Sequence, residues 1–60
     1  MIVRMKSPYY YDIPPGLIGL VLYDFKIRDK VFGFVKNHYY VIRWPTFVCE
    51  VEVNDVEVVD

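Results

Sequence analysis

The sequence predicts an all-β chain of five to six short antiparallel strands, arranged as a small, partly open barrel. Three observations carry that reading. Val, Ile and Thr make up 17 of the 60 residues, and Tyr, Phe and Trp add 11. These types suit pleated, half-buried surfaces. Ala and Gln are absent and Leu occurs three times, so most strong helix formers are missing. Turn-forming residues recur about every eight to twelve positions, the spacing of a barrel or sandwich.

Length and composition set the limits. Domains need roughly 50 residues, so residues 1–60 hold one. A lone cysteine rules out a disulfide scaffold. Three Gly and one Ser are too few for a flexible linker or a disordered chain. The longest apolar run, Leu17 to Tyr23, is far short of the roughly 18 residues of a membrane helix. Met1 to Lys6 lacks the apolar segment of a signal peptide. An intact, reduced, cytoplasmic protein with no membrane contact is the expectation.

Ile2 to Lys6 is read as the first strand, with Val3 and Met5 opposed to Ile2, Arg4 and Lys6. Ser7-Pro8 ends it, because proline cannot donate to a ladder. Residues 8–16 form a loop rich in tyrosine and proline. Leu17 to Phe25 is the strongest strand: Leu17, Gly19, Val21 and Tyr23 share one face, and Ile18, Leu20 and Leu22 the other. Apolar on both faces, it should be covered twice. Lys26 to Asp29 reads as a distal loop and Val31 to Lys36 as a strand, with Asn37-His38 as a hairpin turn. Tyr39 to Trp44 then points Tyr40, Ile42 and Trp44 one way. Phe47 to Val53 points Phe47, Cys49, Val51 and Val53 inward, with Glu50 and Glu52 outward. Asn54-Asp55 permits a 3₁₀ turn before a last strand, Val56 to Val59.

Residues 14–60 as a whole resemble a known class. Pro15-Gly16-Leu17-Ile18-Gly19-Leu20-Val21-Leu22, then Tyr40-Val41-Ile42-Arg43-Trp44, then Val53-Asn54-Asp55-Val56-Glu57-Val58-Val59 look like a small Src-homology-3-like barrel. More narrowly, they are similar to short uncharacterised β-barrel proteins of bacteriophage genomes. The resemblance implies a partly open barrel and no catalytic residues, acting in a host cytoplasm or a virion. Pro45-Thr46 departs from it, standing where relatives carry a longer Gly-containing turn. Val21-Leu22-Tyr23-Asp24-Phe25 also resembles the Ala-Leu-Tyr-Asp-Phe signature of proline-peptide-binding domains. The acidic loop, the Trp-Trp pair and the Pro-x-Asn-Tyr segment of those domains are missing, so that function is not expected.

Few residues could carry chemistry. Cys49 and His38 would be needed as a nucleophile–base pair, but Cys49 shares its strand face with Phe47, Val51 and Val53 and reads as a core residue. Ser7 has nothing to orient it for a triad. Glu50 and Glu52, about 7 Å apart on one strand face, with Asp55 and Glu57 near, fit a solvated acidic edge better than a cation site. His38 has no second ligand at zinc spacing. No enzyme activity, cofactor or metal is expected.

Binding remains. Residues 1–43 carry seven basic and three acidic side chains, and residues 44–60 five acidic and none basic. The basic residues and Tyr9 to Tyr11 would suit nucleic acid, although a pI near 5.7 opposes it. The leading expectation is a non-enzymatic interaction or structural protein that works through protein–protein contacts. A nucleic-acid-binding accessory protein is the alternative. With 33 apolar residues in a barrel whose interior takes every second side chain, several have no inside place. That points to a homo-oligomer, a dimer first, beside a protein partner of unknown identity. The expected partner-binding residues are Tyr9, Tyr10, Tyr11, Ile18, Leu20, Leu22 and Trp44.

Overall fold

The computed structural model describes residues 1–6 and 13–60, in which five strands form. They are β1 (Ile2–Met5), β2 (Ile18–Arg28), β3 (Val35–Arg43), β4 (Val48–Glu52) and β5 (Val56–Val58). All pair antiparallel in one sheet of order β4-β3-β2-β1-β5. A 3₁₀ turn at Val53–Asp55 carries the chain from one edge of the sheet to the other. The Lys6 N–H donates to the Asp55 carbonyl at 3.0 Å, tying the end of β1 to that turn. The result is all-β and a partly open barrel, as the composition predicts. No helix among the described residues is long and apolar enough to cross a membrane.

Side-chain alternation decides what is inside. Val3 and Met5 of β1, Ile42 of β3, Val51 of β4 and Val56 of β5 all point to one interior, joined by Ile13 and Trp44. Leu17, Val21, Tyr40, Phe47 and Cys49 pack around them, half-buried. Trp44 is the largest member and is 1% exposed. It lies flat on β2 because Gly19 has no side chain: a Cβ there would sit 2.8 Å from the indole Cε3 and would also strike Ile42. The indole N–H, which needs an acceptor once buried, donates to Cys49 Sγ at 3.2 Å.

Three expectations are corrected. The strand placed at Val31–Lys36 does not form, and the Asn37-His38 turn does not exist. β2 instead runs on through Lys26 to Arg28, and Asn37 and His38 lie within β3, opposite Ile27 and Lys26. The connection is at residues 29–34, and its cause is local chemistry. The Asp29 side chain accepts from the amides of Val31 and Phe32 at 2.9 and 2.8 Å, a self-made turn of the kind aspartate favours. Gly33 adopts a positive φ of 77°, which glycine takes without steric cost. One hairpin thus replaces two connections, and the strands number five.

The third correction concerns Tyr23, placed by strict alternation on one face with Leu17, Gly19 and Val21. The register slips between Val21 and Tyr23, leaving Leu22 as an extra residue opposite β3. Such a bulge resets the alternation, and Tyr23 is 61% exposed. The loop of Tyr9, Tyr10 and Tyr11 lies outside the described residues.

Candidate functional site

The outer face of β1 and β2 is apolar where a small protein usually presents polar groups. Ile2 lies opposite Leu20 and Arg4 opposite Ile18 in the β1–β2 ladder. With Leu22 these residues bring four aliphatic side chains, each 40–48% exposed, to the outside: Ile2, Ile18, Leu20 and Leu22. The alternation that turns Val3, Gly19 and Val21 inward forces the neighbours outward, so the core and this face are two consequences of one pattern. Among the described residues nothing supplies the second cover expected for β2 over these side chains.

An open groove of about 440 Å³ crosses the face, lined by Ile2, Ile18, Leu20, Arg43, Trp44 and Pro45. It unites Ile18, Leu20 and Trp44, three of the residues singled out from sequence. Leu22 lies on the same outer face but outside the groove. Trp44 needs correction as a contact residue. Its side chain belongs to the core, so it supports the groove from beneath and offers a partner almost no surface.

Sequence reading missed Ile2, Arg43 and Pro45. Ile2 was legible, since it alternates with Val3 and Met5 on a strand whose inner face is plain. Arg43 lines the groove because β3 places it beside Leu20, a cross-strand pairing that alternation within one strand does not reveal. Charges frame the apolar area. Arg4 is paired with Glu57, Nε to Oε1 at 2.7 Å. Glu50 follows Val48 on β4, and Val48 lies opposite Arg43.

The residues weighed for chemistry are not brought together. Cys49 lies opposite Ile42, four residues along β3 from His38, or about 13 Å at ~3.3 Å per residue. Its thiol is half-buried against Trp44, and burial raises its pKa. His38 instead donates from Nε2 to Asp24 Oδ2 at 2.6 Å. That hydrogen bond holds the Asp24 carboxyl below its ordinary value. No group of three metal-ligating side chains occurs among the described residues. Glu50 and Glu52 lie on β4, an edge strand, where outward charges oppose pairing with another sheet.

A second surface is basic. Beyond Phe25 the β2–β3 hairpin pairs with no third strand among the described residues, so residues 26–38 project as a two-stranded ribbon. It carries Lys26, Arg28, Lys30 and Lys36, with Asp29 as its single acid. Compared with protein-family models, curated proteins and solved structures, the chain matches none.

Proposed function

We propose that this chain is a non-enzymatic interaction or structural protein that works through protein–protein contacts, with a second copy of itself as the first partner. The observation that carries the reading is the outer face: Ile2, Ile18, Leu20 and Leu22 stand together, each two-fifths or more exposed. An apolar patch of this kind marks an interface more often than it is left bare. Arg43 and Glu50 lie on its same side, and a two-fold axis between them would set each against the other's counterpart. A standard interface covers roughly 800 Å² per partner, close to a fifth of the molecule's 4295 Å². A dimer would therefore use nearly the whole outer surface of β1, of β2 from Ile18 to Leu22, and the adjoining part of β3.

The architecture in this reading is a small Src-homology-3-like barrel. The order β4-β3-β2-β1-β5 and the 3₁₀ turn before β5 support it. Resemblance to phage-borne barrels would put the protein in a host cytoplasm or a virion. A second reading, a nucleic-acid-binding accessory protein, draws support from Lys26, Arg28 and Lys30 on the ribbon. Salt-sensitive gel shifts abolished by reversing those three charges would favour it.

Sedimentation equilibrium of the full chain at micromolar concentration tests the leading reading. A dimer is expected, and Leu20→Glu should return it to 7.2 kDa with its circular dichroism unchanged. A wild-type chain that sediments as a monomer would sink it.

A further inference from the structure

The ribbon ends in an apolar tip that the barrel does not need. Val31 and Phe32 are each 82% exposed, the highest values of any large apolar residue described, and Phe34 and Val35 beside them are exposed as well. This is not a loose loop. The Asp29 carboxylate accepts from both Val31 and Phe32 amides. The Asp29 N–H donates to the Phe34 carbonyl at 2.8 Å, and the Gly33 N–H to the Asp29 carbonyl at 3.0 Å. Arg28 Nη1 adds a bond to the Gly33 carbonyl at 3.1 Å. Five hydrogen bonds fix a short segment in a shape that holds a valine and a phenylalanine in water.

Cations surround that tip. Lys30 is in the turn itself, Arg28 and Lys36 are at its base, and Lys26 is two residues further back. All four are exposed, and none forms an ion pair among the described residues. The two nearby acids are engaged, Asp29 by backbone amides and Asp24 by His38. Of the five acids of residues 44–60, Glu52 pairs with Tyr39 at the foot of the ribbon, and the other four lie further from the tip, on or flanking β4 and β5.

We infer that the tip of the β2–β3 ribbon docks on an anionic lipid surface. Apolar side chains that insert about 5–10 Å into the interface leave flanking groups at the level of the headgroups. Successive residues on one strand face are about 7 Å apart, so Arg28, Lys30 and Lys36 would meet lipid phosphates while Val31 and Phe32 enter the acyl boundary. The separation of basic ribbon and acidic barrel turns the tip toward a negative surface. Nucleic acid fits less well: bases can stack on Phe32 and Phe34, but Val31, Ile27 and Val35 would face phosphate. The inference is independent of the proposed dimer, which uses the outer face of β1 and β2.

The test is Phe32→Trp in the full chain, titrated with vesicles of equal phosphatidylcholine and phosphatidylglycerol at low salt. The buried Trp44 supplies a constant background. A blue-shifted, saturating emission change is expected, at least about tenfold weaker on pure phosphatidylcholine, since each cation near an anionic surface adds several-fold in affinity. Flotation of a Val31→Ser/Phe32→Ser variant should show a loss of similar size. Its fold is safe because both side chains are outside the core. Absence of any shift with anionic vesicles would overturn the inference. So would flotation that survives removal of both tip residues. A Phe32→Trp response to single-stranded or duplex DNA without one to vesicles would assign the ribbon to nucleic acid instead.

Discussion

The barrel around Trp44 and the ribbon beyond Phe25 are built from the same β-branched and aromatic residues and differ in what those residues touch. In the barrel, five strands and the segment at Ile13 converge on one interior, and Val3, Ile42 and Val51 lose all contact with water. In the ribbon, two strands face each other alone. At its foot, where Tyr39 still pairs with Glu52 of β4, Phe25 and Tyr39 stack at 5.2 Å, while Ile27, Val31, Phe32 and Phe34 further out remain exposed. Hydrophobic burial orders the first region, and local hydrogen bonds and backbone conformation order the second. Stability therefore belongs to the barrel, and the ribbon is free to carry surface chemistry that a core could not accept.

The most severe way to break the barrel is at the contact between Gly19 and Trp44. Trp44→Ala removes its largest buried side chain, a change that costs about 3–5 kcal/mol. A chain this small rarely has more than roughly 3–5 kcal/mol of stability, so the variant should be unfolded by circular dichroism at room temperature. Gly19→Ala attacks the same contact from the other side. Its Cβ would overlap both Ile42 and the indole, and overpacking of that kind costs about 1–3 kcal/mol. A clear fall in the urea midpoint is expected. An unchanged midpoint would mean that the indole can shift and that the close approach is not a constraint.

Gly33→Ala probes the ribbon alone. Nothing lies within 4 Å of the added Cβ, so the whole cost is the positive φ of 77°, about 1–2 kcal/mol. If the two regions are separable, amide exchange should speed up at residues 29–35 while the barrel amides and the urea midpoint move little. A midpoint loss as large as that of Gly19→Ala would show that ribbon and barrel unfold as one unit.

The same division explains what the sequence disclosed. Inner and outer faces of β1, β3 and β4 could be read from alternation, because one buried face and one wet face impose a period of two. Ile18, Leu20 and Leu22 came from the same pattern. The ribbon was misread because its exposed Val31, Phe32, Phe34 and Val35 imitate a buried strand, while Asn37-His38 imitates a turn. What sets the hairpin is one aspartate side chain and one left-handed glycine, and neither leaves a periodic trace. The bulge at Leu22 was hidden for a similar reason: it is defined by the partner strand. Groove residues such as Arg43 depend on pairing across strands, so alternation within β3 does not identify them.

The smallest predicted effect is at the junction of the two regions, where Asp24 of β2 meets His38 of β3. The hydrogen bond from His38 lowers the Asp24 pKa below the ordinary carboxyl value of 3.8. A carboxyl with a depressed folded-state pKa stabilises the fold above its unfolded value and loses that contribution as pH falls through the folded one. The bond is exposed, so solvent screens it and the contribution is small. Asp24→Asn keeps the shape of the side chain and removes its titration. Urea midpoints of wild type and variant should therefore differ slightly at pH well above 3.8, wild type being the more stable, and converge well below it. Amide exchange should place the difference in residues 24–28 and 35–40 rather than in the barrel. A gap that persists unchanged into acid would show that the asparagine perturbs packing and that the carboxylate charge is not what joins the ribbon to its base.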